Sequence, residues 1–119
     1  MEPDTALLLL ARAGLPAALL RHLLESQPDA PAALAAARRG AGLSLPPPVR
    51  EALARPCPRQ LGNDEAWLAG RDRSLLAWGS PDYPALLRRA ASPPPLLFLE
   101  GDPALLWHPQ VAVVGSRHP

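Results

Sequence analysis

Apolar residues recur at helical spacing through the first half of the chain and shift, past Pro58, to short uninterrupted runs bounded by glycine and proline. Asp4 is placed to N-cap a first helix reaching about Ala13, in which Leu7, Leu8, Leu10 and Ala11 form a wide buried stripe. Gly14 breaks it, and Pro16 stands where the first turn of a second helix begins. There Leu19, Leu20, Leu23 and Leu24 repeat at i, i+1, i+4 and i+5, with Arg21, His22, Glu25 and Ser26 opposite. Asp29 followed by Pro31 opens a third, alanine-rich helix that ends at Arg38-Arg39-Gly40, basic in its last turn with glycine just beyond. Pro46-Pro47-Pro48 predicts an extended connector before a short helix from Val49 to about Arg55. Small helices of this kind pack most economically as a bundle, here over roughly the first sixty residues.

The second half predicts a helix from about Arg59 to Ala69, then a buried strand, Ser74 to Trp78, entering a turn at Gly79-Ser80-Pro81-Asp82. Pro84 to Ala91 reads as a short helix. After Ser92-Pro93-Pro94-Pro95, the run Leu96 to Leu99 is a second strand stopped at Gly101-Asp102-Pro103. Asp102 can cap a helical turn over Pro103 to Trp107. The β-branched run Val111 to Val114 has no alternation, the pattern of a strand covered on both faces, and ends at Gly115. Strand, helical turn and strand in succession point to the opening of an α/β sheet.

Composition narrows the picture. The chain has 119 residues, with 12 Lys+Arg against 11 Asp+Glu. That balance excludes a strongly basic nucleic-acid tail and equally a charge-extended acidic segment, so any nucleic-acid contact depends on local placement of charge. Every basic residue is Arg, which with the abundant Ala, Leu and Pro matches a GC-rich coding bias. The apolar run Ala6 to Ala11 is closed by Arg12, far short of the roughly 18 residues a membrane-spanning helix needs. Glu2 and Asp4 stand where a secretory signal would be basic, so a cytoplasmic protein is expected. Cys57 is alone, which leaves no disulfide and no cysteine-based zinc site within the chain. His22, His108 and His118 lack metal-ligand spacing, and Asp64, Glu65, Asp72 and Asp82 lack that of an acid/base pair. Trp67, Trp78 and Trp107 are set in apolar contexts that favour packing over base stacking, and Arg38-Arg39 and Arg88-Arg89 are explained by helix ends.

The informative chemistry is at the end of the last apolar run. Nucleotide-binding α/β folds present their first loop where a buried strand ends in glycine. The dinucleotide fingerprint wants a second glycine two residues on, but here Arg117 occupies that place. A hydroxyl donor at Ser116 and a forked guanidinium at Arg117 suit a phosphodiester or another anion better than a dinucleotide. Three blocks now stand in order: Asp82-Tyr83-Pro84 within Leu75 to Leu87, Pro93-Pro94-Pro95-Leu96 running to Gly101, and Val111-Ala112-Val113-Val114-Gly115-Ser116-Arg117. Together they resemble the DNA-processing protein A (DprA, or Smf) family of bacteria.

That resemblance implies a non-catalytic, cytoplasmic protein of natural transformation that binds and protects single-stranded DNA and helps load the RecA recombinase. The fold class it implies is α+β. A small all-α domain of sterile-alpha-motif-like or helix-hairpin-helix-like type would span residues 1–58, and residues 59–119 would be the first strands of an extended Rossmann domain, cut short at Pro119. Gly115, Ser116 and Arg117 would contact the DNA backbone. No cofactor or metal is expected, and a homodimer would form through Rossmann sequence beyond this stretch. The family's P-G-I-G hairpin is replaced here by Arg12-Ala13-Gly14-Leu15-Pro16, so DNA binding is not assigned to the amino-terminal helices. Two other readings stand beside this one: a nucleotide-phosphate-binding enzyme of phosphoribohydrolase type, and a helical protein-interaction module acting alone.

Overall fold

The computed structural model describes residues 1–40 and 44–102. Helices α1 (Pro3–Arg12), α2 (Ala17–Ser26), α3 (Ala30–Arg39), α4 (Pro47–Ala54) and α5 (Pro58–Leu68) precede strand β1 (Arg73–Ala77), the single-turn helix α6 (Ala85–Arg88) and strand β2 (Leu96–Glu100). This is an α+β arrangement. Helices of these lengths are marginal alone in water and depend on burying one face. The shared core brings Leu10 of α1, Leu20 and Leu23 of α2, Leu34 of α3 and Leu53 of α4 together, each no more than 4% exposed. Burying side chains of this size contributes about 1.5–3 kcal/mol apiece. The alanines of α3 have a different use: Ala33, Ala36 and Ala37 are buried and let neighbouring helices come close.

Helix boundaries follow proline and capping chemistry. Asp4 does not cap α1; it lies inside the first turn, and Glu2 holds the cap position without a side-chain bond. Pro3 is responsible, since its ring presets a helical φ at the first position and starts the helix ahead of the aspartate. Asp4 keeps a favourable place by the positive end of the dipole. The predicted connector at Pro46-Pro47-Pro48 is likewise shorter than expected. Pro46 is extended, but Pro47 and Pro48 already belong to α4, where their missing N–H groups would have had no partner anyway. At α3 the local signals act as read: the Asp29 carboxylate accepts from the Ala32 amide at 2.8 Å, and Gly40 closes the helix with φ +70°.

Strands β1 and β2 form a two-stranded antiparallel sheet with Leu75 opposite Phe98 and Leu76 opposite Leu97. The expectation of a fully buried β1 is not met, because Leu76 alone in that strand is buried. Alternation explains this. Arg73, Leu75 and Ala77 share a face with Phe98, which meets α5 edge-to-face through Trp67 at 5.8 Å between ring centres. Asp72 takes φ +58° just before β1, a conformation a short polar side chain tolerates, and its carbonyl accepts from Gly101 to close the sheet. The helix expected from Pro84 to Ala91 is a single turn, Ala85–Arg88. No helix among the described residues is long and apolar enough to cross a membrane.

Candidate functional site

Gly115, Ser116 and Arg117, with the strand expected over Val111 to Val114 and the turn expected over Pro103 to Trp107, lie outside the described residues. What the structure does describe are the two sequence blocks that precede this loop, and they are joined in one cluster. The turn after β1 needs φ +96° at Gly79 and brings Tyr83 inward until it is fully buried. Its ring meets Trp78 edge-to-face at 5.3 Å, and its hydroxyl donates to the Pro94 carbonyl at 2.7 Å. Burial raises the Tyr83 pKa, while the nearby Arg88 and Arg21 charges pull the other way. Arg88 lies over both rings, 5.0 Å from the centre of Trp78 and 5.1 Å from that of Tyr83, and donates to the Ser80 carbonyl at 2.8 Å. Geometry of this kind favours a cation stacked on an aromatic face.

The same cluster reaches the helices. Arg21 of α2 donates to the Pro93 carbonyl at 2.6 Å and lies 5.9 Å from the centre of the Trp78 ring, while the Trp78 indole N–H donates to Glu25. Residues expected on the solvent face of α2 thus anchor it to the turn and the proline run. Three successive prolines, lacking N–H groups, offer their carbonyls to three different donors: Arg21, the Tyr83 hydroxyl and the Trp78 amide. A second bridge joins α1 to α5, where Arg12 makes a two-pronged pair with Asp64 at 2.9 and 3.0 Å. The bond to Asp64 raises the Arg12 pKa further above its ordinary value, with burial opposing it. Arg12 also lies 5.5 Å from the centre of the Phe98 ring.

Trp67 and Trp78, each half-buried, pack edge-to-face against Phe98 and Tyr83; Trp107 is outside the described residues. Among the described residues no group of His, Cys, Asp and Glu is arranged to hold a metal ion. His22 and Cys57 are exposed, and His108 and His118 fall outside the described residues. Sequence reasoning named Tyr83 only as part of a motif block and Asp64 only as a carboxylate without acid/base spacing; the contacts that each makes across the fold were not foreseen. Comparison with curated proteins gives no match, and comparison with solved structures gives none. The family described as DNA recombination-mediator protein A matches residues 74–119, the stretch that contains the Tyr83 turn, the proline run and the residues Gly115, Ser116 and Arg117. Residues 74–119 of this chain are thus similar to the DNA recombination-mediator protein A family.

Proposed function

We propose that this chain is the amino-terminal part of a DprA-like protein that binds single-stranded DNA, protects it and helps load RecA during natural transformation. The observation that carries the proposal is the family match over residues 74–119, which runs through Gly115, Ser116 and Arg117. In this reading residues 1–58 are a helical domain of sterile-alpha-motif-like type, and residues 59–119 open an extended Rossmann domain. The protein is cytoplasmic, acts without catalysis or cofactor, and pairs with a second copy through the Rossmann region. Backbone N–H groups at a strand end and one forked guanidinium hold phosphate without reading bases, which suits a protein that must accept any sequence.

The test uses the full-length gene product and a single-stranded oligonucleotide. Binding is expected to weaken as salt rises, and Arg117→Ala is expected to lower affinity by roughly 10- to 100-fold, the loss of one charge-assisted contact of about 1.5–3 kcal/mol. Unchanged affinity in that variant removes Arg117 from the site.

A further inference from the structure

Arg38 and Arg39 stand in the last turn of α3, where the helix dipole alone accounts for them. The fold adds something the dipole does not explain. Arg50, on α4, lines the same cleft of about 820 Å³ as Arg38 and Arg39. It sits in the amino-terminal half of its helix, where the dipole disfavours a cation. Among the described residues no carboxylate pairs with it: Glu51 beside it is turned to Arg55, at 3.6 Å, and Asp29 caps the opposite end of α3. Among the described residues the side chains of Arg39 and Arg50 make no hydrogen bond or ion pair. Arg38 is fastened by its Nε to the Leu53 carbonyl at 3.0 Å, which leaves its two terminal nitrogens without a partner among the described residues. Three exposed arginines thus line one cleft of a chain whose net charge is only +1.

We propose that Arg38, Arg39 and Arg50 form a second contact for the phosphates of single-stranded DNA, on the helical part of the molecule; the proposal rests on the DNA-binding reading given above. The floor of the cleft decides the ligand class. Ala37 and Leu53 are 1% and 3% exposed, and the other apolar side chains of the lining are the half-buried Leu45 and the small Ala54, so the cleft offers little surface to the apolar side chains of an acidic peptide. No aromatic residue is among the described residues that line the cleft, so there is no platform for a base. The proline residues at the start of α4 remove N–H groups that would otherwise hold an anion. The charged groups on offer are guanidinium groups, which neutralise backbone charge without regard to sequence.

The experiment measures binding of an oligodeoxythymidylate to the full-length gene product across a range of salt concentrations, by fluorescence anisotropy. The variant is Arg39→Gln with Arg50→Gln, which spares Arg38 and its bond to Leu53. Its plot of log affinity against log salt is expected to be shallower by about 1.4, two contacts at about 0.7 each on a single strand. The variant Arg39→Lys with Arg50→Lys is expected to keep the original slope, because charge and not fork geometry sets it. An unchanged slope in the Gln variant, in a protein that Arg117→Ala weakens, overturns this inference and leaves the first reading standing. A wild-type protein that binds no DNA at any salt overturns both. Displacement of the oligonucleotide by oligoglutamate of equal charge assigns the rim to acidic peptides and overturns the DNA contact.

Discussion

Tyr83 is the one tyrosine in the chain, and it is fully buried with its hydroxyl bonded to the Pro94 carbonyl. Burial raises its pKa above the ordinary value of 10.0 despite the opposing pull of Arg88 and Arg21, so the fold favours the neutral phenol. Its contribution to stability is therefore complete below pH 10.0 and is lost as pH rises through the folded-state value. Phenolate absorbance reports this group alone. Its titration midpoint is expected above 10.0 in the native protein and at the ordinary value in urea, and the urea midpoint of unfolding is expected to fall in the same alkaline range. A native midpoint at the ordinary value contradicts this. The turn around Tyr83 was legible from glycine, proline and aspartate, but its depth was not, because one tyrosine carries no periodicity. Arg21 and Glu25 show the converse. Their spacing correctly places them off the leucine stripe of α2, yet that face meets the proline run and Trp78.

Helix α3 shows how much of an element can be written locally. Asp29 at one end and Gly40 at the other are each sufficient to mark a boundary, and both boundaries are found where those residues predict them. Replacing Asp29 with Ala leaves the Ala32 amide without its side-chain acceptor and is expected to cost about 1 kcal/mol of stability, read from urea denaturation. Asp29→Ser is expected to retain most of it. The starts of α1 and α4 were misplaced by one to a few residues because proline carries two opposed meanings. It biases the residue before it toward extended backbone, yet it is itself well suited to a first helical turn. The exposure of β1 was illegible for another reason: a short apolar run does not reveal how many of its faces are covered.

At the scale of the molecule, Arg12 and Asp64 are paired across 52 positions of sequence, a distance no local pattern spans. A double-mutant cycle with Arg12→Ala and Asp64→Ala is expected to give a coupling of about 1 kcal/mol, at the upper end for an exposed ion pair because Asp64 is largely buried while Arg12 is half exposed. Coupling near zero shows the pair to be incidental. The role proposed for Gly115, Ser116 and Arg117 comes only from a motif in an ordered series of blocks, since no periodicity announces an anion site. The proline run has a further consequence. Pro93, Pro94 and Pro95 lead straight into β2, the kind of sheet boundary at which a foreign strand can add itself to a fold. Such accretion needs N–H donors, and these three residues have none; the carbonyls they do possess are already taken. The same sequence that clasps helix, turn and strand therefore leaves a foreign strand no donor to pair with at the start of β2.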